Sequence, residues 1–557
     1  MNGLASLPEG LGLLLAVAVG LWALRKRLVA PAVLGVLQAA LLLYARAGGE
    51  GGGLLLPAWR VDGLALLLSG LTVGLGAAVA VYAAGYLPGH ARHHAVRPRP
   101  ARFFLLLFTF LGAMVGLSLA NDLRWLHVFW EATTLCSALL IAHDGTDEAV
   151  RAAGKALVYN LGGGLVFTFA LLGLARAGVE PYLSALPEAV RTAGPASGPF
   201  IQLALLGLAI AGLIKAAQFP FTDWLLGAMA APAPVSALLH SATMVKAGVY
   251  LIFRLAPALA AARLTGGVTL AGGVAALGAL TSAFASFAAL GQRHAKRVLA
   301  YSTVANLGLM VMAAGIGTKA AVLAGLVLLG FHALSKALLF LASGSAEGAV
   351  GSYDLPAFEG LLRRAPLTGW SMAVGILSLL LPPFGVLVGK WLTLEAAATH
   401  PALLGLAVAG SAATVFFWVR WLGLVVTRPA AGTLPAAPPS RPEQVVLGVL
   451  SLGVVVFSFW IALRGGAGGL VPLAVLALAG LAMRWWGRAV VVRPPYLCGE
   501  NAGRESFHSA GDQATAAVVG SHYLEHALDE RRVRLLGIGC SLAVLAVLAL
   551  WIGVTLA

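Results

Sequence analysis

Four lysines, Lys215, Lys246, Lys336 and Lys390, lie in the middle of strongly apolar stretches. Only 8 of the 37 Lys and Arg residues in the chain are lysine, so arginine is its ordinary cation. A guanidinium cannot be deprotonated in a protein, whereas a buried ammonium gives up its proton readily. On insertion scales a charge at a bilayer centre costs about +2.5 to 3.5 kcal/mol, so an ionisable group kept there is a functional candidate. Four proton-releasing groups in four separate apolar stretches predict a proton pathway.

Other ionisable residues join this set. Glu131 sits in Trp125-Leu-His-Val-Phe-Trp-Glu-Ala-Thr-Thr-Leu and, in hydrocarbon, needs a cationic partner or must be neutral. With Lys215 as partner, the carboxylate favours the charged ammonium, and moving it away frees the proton. The alternative is a static ion pair, which leaves the other lysines unexplained. Lys215 precedes Pro220 by five residues. Proline frees a helix carbonyl that water or a side chain must then satisfy, which suits a proton site. His240 shares a stretch with Ser241, Thr243 and Lys246, and its near-neutral titration suits proton exchange better than a purely packed core role. His332 and Lys336 are i,i+4 on one helical face, where two basic groups cannot both stay charged cheaply. Lys390 follows Pro382-Pro383, and Glu395 beyond it is expected at the membrane interface without a role.

The elements that must hold these residues are transmembrane. The chain has 557 residues, 60% of them hydrophobic and 11% charged, and a mean hydropathy of +0.90. This is outside the range of soluble globular proteins and predicts an all-α polytopic membrane protein. Hydropathy predicts about sixteen spans. They fall near residues 11–24, 29–47, 63–87, 103–120, 123–142, 153–175, 200–219, 233–254, 267–291, 297–317, 320–343, 370–396, 402–427, 443–464, 469–486 and 535–556. The first is read as a retained span, since no small-residue cleavage site follows it. Arg25-Lys26-Arg27, the loop from His90 to Arg99, the Arg293–Arg297 loop, Arg363-Arg364 and the 484–534 segment all fall on one side of this count. The positive-inside rule then places them in the cytoplasm of a cell-membrane protein with both termini outside.

Two units of five spans, 103–254 and 267–427, echo each other. Gly154-Lys-Ala-Leu157 is matched by Ser335-Lys-Ala-Leu338 five spans later, and Lys215 and Lys390 each have proline nearby. Five spans is an odd number, so the units insert with opposite topology, as inverted repeats with broken helices. Residues 1–102 precede them as N-terminal helices. Residues 428–557 follow as C-terminal helices with a cytoplasmic amphipathic segment at about 494–534, helical around Asp512–Arg534.

Several function classes are disfavoured. The net charge of +15 flanks apolar spans instead of covering a soluble face, which argues against nucleic acid. Cys136, Cys498 and Cys540 are too few for a four-cysteine iron–sulfur cluster, and no cofactor or redox centre is expected in the chain. His522-Tyr-Leu-Glu-His526 fits an H-x-x-E-H zinc motif but has no adjoining enzyme domain. His90, His93 and His94 read as a solvated loop.

Several segments resemble the antiporter-like subunits of the complex I superfamily, shared with Mrp antiporters and energy-converting membrane-bound hydrogenases. They are Phe129-Trp-Glu-Ala-Thr-Thr-Leu-Cys-Ser, Lys215 to Trp224, Pro232-Ala-Pro-Val-Ser-Ala-Leu-Leu-His-Ser-Ala-Thr-Met-Val-Lys-Ala-Gly-Val-Tyr-Leu, Arg297 to Gly308, and His332 to Leu339. The resemblance covers about residues 60–430. It implies a chain of proton-transfer groups along the membrane midplane. Glu131 and Lys215 belong to the first half, His240, Lys246, His332 and Lys336 to the connection, and Lys390 to the distal half. Pro495 to Asn501 and the sixteen-span length look most like the large membrane subunit of an Ech- or formate-hydrogenlyase-type complex. That implies other membrane and peripheral redox subunits as partners and H+ as the ion, with Na+ left open. An Mrp-like cation/proton antiporter subunit, a membrane partner of a bicarbonate-uptake complex and a non-pumping scaffold are the alternatives.

Overall fold

The computed structural model describes residues 58–262, 269–381, 384–427, 436 and 438–464, with isolated positions at 507–508, 514–515, 535, 537 and 539. The expected spans 11–24, 29–47 and 469–486, most of 535–556, Pro382-Pro383, Cys498, Cys540 and the His522–His526 motif lie outside them. Among the described residues, eleven helical stretches are long and apolar enough to cross a membrane. The chain is a multi-pass α-helical membrane protein, as its composition predicts.

The helices run in chain order as α1 (Gly63–His93), α2 (Pro100–Leu119), α3 (Leu123–Ile141), α4 (Asp147–Arg176) and α5 (Gly198–Lys215). Next come α6 (Ala233–Ser241), α7 (Met244–Ala261), α8 (Leu270–Leu290), α9 (Ala295–Ile316) and α10 (Lys319–Val350). The series ends with α11 (Pro366–Leu380), α12 (Gly385–Ala396), α13 (Pro401–Val426) and α14 (Arg441–Arg464). The 19-residue α3 carries Arg124, His127 and Glu131 and is not among the eleven. Side-chain oxygens of Asp62, Thr146, Thr269 and Thr318 accept from backbone N–H groups in the first turns of α1, α4, α8 and α10. These four polar residues thus fix where apolar helices begin.

Breaks interrupt the helices beside several of the candidate residues. The fourth helix of each five-helix series is divided: α5 ends at Lys215 before a short helix at Asp223–Gly227, and α11 ends at Leu380 before α12. A further break divides α6 from α7, a stretch the hydropathy reads as one continuous span. At this break Thr243 has φ −127° and ψ −101°, outside the helical region. Its hydroxyl donates to the Leu238 carbonyl at 2.7 Å, beside the longer 3.5 Å helix bond from the Ala242 N–H.

The core sits around α6, α7, α9 and the second half of α10, whose residues are almost all buried. Small residues allow the closest approaches. A Cβ on Gly278 of α8 would come within 2.6 Å of the Gly308 carbonyl oxygen and 2.5 Å of the Met312 nitrogen on α9. By contrast α4 and α13 turn large apolar side chains outward, among them Leu165, Phe169, Leu172 and Phe416, as lipid-facing helices do.

One end of the bundle gathers the basic loops. His94 meets Glu347, the Ala295 N–H donates to the Tyr353 carbonyl, and the Leu355 N–H donates to the Arg293 carbonyl. The ends of α1 and α10 and the start of α9 are therefore together, so two of the expected basic segments share one end of the bundle. Two details differ from the expectation. First, His90 and His93 are on α1, which runs through Pro88, and His90 is buried against Asp144 and Tyr86. Second, Lys296, read as a loop residue, lies buried in the first turn of α9. Its ammonium donates to the carbonyls of Ala231 and Met229 and stands 4.3 Å from the Tyr353 ring centre. Local hydropathy cannot detect carbonyls that a distant segment supplies.

Among the described residues the strands are a two-residue antiparallel pair, Phe507–His508 with Ala514–Thr515. Ala514 and Thr515 are thus extended, as suits the β-branched Thr515, and the rest of the expected amphipathic segment lies outside the described residues.

Candidate functional site

Each lysine singled out by type is buried, and each ammonium is met by helix carbonyls, hydroxyls or an imidazole. Lys215 is the last residue of α5, and α5 packs beside α4 and α7. Its Nζ donates to the Trp130 carbonyl at 2.8 Å and to Thr134 Oγ1 at 3.1 Å, and lies 4.3 Å from the Trp130 ring centre. The carbonyls freed by the break near Pro220 are closed by protein groups. The Trp224 indole donates to the Ile214 carbonyl at 3.0 Å, and the Gln218 amide donates to the Ala216 carbonyl at 3.0 Å.

Glu131 is one residue from the carbonyl that holds Lys215, but the carboxylate is not in ion-pair contact with the ammonium. It faces His127 on the same helix, with Oε1 at 3.7 Å from Nε2, and Oε2 is buried without a hydrogen-bond partner. His127 Nε2 also lies 3.1 Å from the Gly164 carbonyl oxygen and 3.2 Å from Thr168 Oγ1. The simple Glu131–Lys215 pair is thus replaced by two adjacent sites sharing a stretch of α3. His127 escaped the sequence reading although its i,i+4 spacing to Glu131 was visible.

Lys246 lies in the first turn of α7, across the break from α6. Its ammonium caps the end of α6, donating to the Ser241 carbonyl and, at 3.3 Å, to the His240 carbonyl. A cation is favourable there because the last carbonyls of a helix have no internal partner. The same Nζ lies 3.3 Å from Nδ1 of His332 on α10. His332 Nε2 and both ring nitrogens of His240 are buried without hydrogen-bond partners, and the His240 ring packs 4.8 Å from Phe340. Lys336 does not bond to His332, its i−4 neighbour. Its Nζ donates to the Leu299 carbonyl at 3.0 Å and Ser302 Oγ at 2.8 Å, with the Trp418 ring centre at 5.0 Å.

Lys215 and Lys336 thus share one local design: a helix carbonyl, a hydroxyl within a turn of it, and an indole face. Lys390 on α12 is met differently, donating to Thr414 Oγ1 of α13 at 3.2 Å. Neutral acceptors leave an ammonium free to lose its proton without stranding a buried carboxylate. Such a set can pass protons.

Several ion pairs among the described residues lie outside the expected set, and one adjoins the Lys215 break. Lys155 Nζ and Asp223 Oδ2 are 2.8 Å apart, joining α4 to the short helix after the Lys215 break. In the sequence Lys155 carried only the repeat echo, because its partner is distant in the chain.

Comparison with known proteins places these residues in context. A family model described as NADH:quinone oxidoreductase/Mrp antiporter, TM, matches residues 120–416, a range containing all seven expected site residues. The Na(+)/H(+) antiporter subunit A1 proteins of Staphylococcus aureus strains JH9 and Newman are each 35% identical over 351 residues. The match covers 60% of this chain and 42% of each relative, so less than half of their length is represented. A chain of the membrane-bound sulfane sulfur reductase, an archaeal respiratory membrane complex, has a similar fold with a TM-score of 0.69. That likeness covers 82% of this chain and 94% of the other at 23% identity.

Proposed function

The chain belongs to the NADH:quinone oxidoreductase/Mrp antiporter transmembrane family, and we propose that it is a proton-translocating membrane subunit of a redox-driven complex. The observation that carries this reading is the meeting of Lys246 with His332 at 3.3 Å. It joins α7, which follows Lys215 in the chain, to α10, which carries Lys336 and leads to Lys390. In this reading Glu131 and Lys215 form the first half. His240, Lys246, His332 and Lys336 form the connection, and Lys390 forms the distal half.

Coupling is electrostatic. A partner subunit that changes the charge state near the partly buried Glu131–His127 pair alters the field on Lys215. The change then passes along the lysines. Electron transfer belongs to other membrane and peripheral subunits, of energy-converting hydrogenase or NADH dehydrogenase type. We assign H+ as the ion, since ammonium and imidazole groups dominate the pathway. The basic end of the bundle faces the cytoplasm in this assignment, and the membrane is the cell membrane.

The 35% identity to a Na(+)/H(+) antiporter subunit favours a second reading, a cation/proton antiporter subunit without redox partners. Purification in mild detergent followed by reconstitution separates the two. Acidification of vesicles on adding a redox substrate supports the first. A pH gradient formed by a Na+ gradient alone overturns it in favour of the second.

A further inference from the structure

A second cluster lies at the basic end of the bundle, outside the lysine pathway. His93 and His94 end α1, and Glu347 lies in the last turn of α10, more than 250 residues away in the chain. Oε1 of Glu347 stands 3.0 Å from Nε2 of His94 and 3.4 Å from Nε2 of His93. One ligand atom from each residue falls within 4.8 Å of both others. We propose that His93, His94 and Glu347 bind a borderline divalent cation of the Zn2+ class.

Three observations support the assignment. The first is spacing. Bonds of about 2.0–2.1 Å in a tetrahedral site place neighbouring ligand atoms about 3.3 Å apart, and the two Glu347–histidine separations, 3.0 and 3.4 Å, lie on either side of that value, with all three atoms within 4.8 Å of one another. The second is donor type. Two imidazoles and one carboxylate suit Zn2+ or a neighbouring transition ion, whereas Mg2+ and Ca2+ favour all-oxygen sets. The third is burial. The Glu347 side chain is 4% exposed, whereas those of His93 and His94 are 47% and 40% exposed. A buried carboxylate requires positive charge beside it, and a bound cation would add to that of nearby Lys296. The half-exposed imidazoles leave an entry path and room for a water ligand.

The surroundings complete the site. The His90 ring lies 4.5 Å from the His94 ring, and its own nitrogens are held by Asp144 at 2.9 Å and Tyr86 at 3.1 Å. His90 is therefore already engaged and positions His94 without being a ligand. Asp144 Oδ1 is buried without a hydrogen-bond partner, adding negative charge nearby that favours a cation. A bound ion would fasten the end of α1 to the end of α10, the helix that carries His332 and Lys336.

The test uses the full chain, without a polyhistidine tag, purified in detergent. His522→Ala and His526→Ala are introduced to remove the separate histidine pair. Co2+ is titrated and followed by its visible tetrahedral absorption, and Zn2+ affinity is read by competition. One ion per chain is expected, with affinity falling at least about tenfold in His93→Ala and in His94→Ala. Both histidines are exposed enough that these variants should fold, which gel filtration checks. Glu347→Gln should weaken binding similarly. Absence of saturable binding, or equal affinity in the His93→Ala/His94→Ala double variant, overturns the proposal.

Discussion

Lys246 Nζ and His332 Nδ1 are 3.3 Å apart, and the same ammonium caps the end of α6 through the Ser241 and His240 carbonyls. One cation therefore both stabilises a helix break and touches the next ionisable group. If the pair acts as one transfer step, removing either member should abolish that step. Proton flux in reconstituted vesicles should fall at least about tenfold in His332→Ala and in Lys246→Ala. The double variant should be no worse than the poorer single one, because groups acting as a unit are non-additive. Additive losses would show that the two act separately.

Lys215 tests whether charge or proton release matters. Lys215→Arg keeps the cation, but arginine has no accessible neutral form. It should lose translocation nearly as fully as Lys215→Ala, by at least about tenfold. Retained flux in the arginine variant would remove Lys215 from the relay and leave it a structural cation on the Trp130 carbonyl.

Gly164 offers a way to move Glu131 without deleting it. A Cβ at this position would fall 1.6 Å from Glu131 Oε1, an impossible contact. The clash is with the tip of a flexible side chain, so the carboxylate can swing aside while the helices stay in place. Gly164→Ala should therefore leave the melting temperature in detergent nearly unchanged while proton flux drops. Unchanged flux would mean that the position of the Glu131 carboxylate does not matter.

The helical class and most span positions were legible because hydropathy and length are local properties. Lysine-for-arginine choice was likewise readable, since residue type alone distinguishes a releasable proton from a permanent charge. Partners were not legible. Lys296 read as a topology signal although Tyr353 and the carbonyls of Met229 and Ala231 enclose it. The break between α6 and α7 was also hidden. No proline marks Ala242 or Thr243, and the break is sustained by the Lys246 ammonium and the Thr243 hydroxyl. Glu347 gave no local hint of the histidines at the far end of α1.

Packing beside the Lys215 break makes a stability prediction. A Cβ on Gly248 of α7 would come 2.3 Å from the Gly212 carbonyl oxygen and 2.5 Å from the Ala216 nitrogen. Both are backbone atoms, so the clash cannot be relieved by a rotamer change. Gly248→Ala should destabilise the protein by about 1–3 kcal/mol. Thermal unfolding in detergent measures this, and an unshifted transition would mean that α5 and α7 can separate freely.

His294 provides the pH dependence that can be assigned outside the membrane. It precedes α9, with its ring 5.4 Å from the Tyr353 ring and Nδ1 buried without a hydrogen-bond partner. Burial first, then the Lys296 and Arg297 charges, push its pKa down to about 4, with Asp354 opposing them. An unfolded histidine titrates near about 6.5. Between those values the unfolded segment binds a proton that the folded one does not, so stability falls as pH drops through that window. The contribution is fully present above about pH 6.5 and is lost progressively toward pH 4. Hydrogen exchange of residues 291–297 and 351–355 should therefore quicken as pH falls from 6.5 to 4, after correction for intrinsic rates. In His294→Gln this dependence should flatten, and an unchanged slope in that variant would assign the effect to another group.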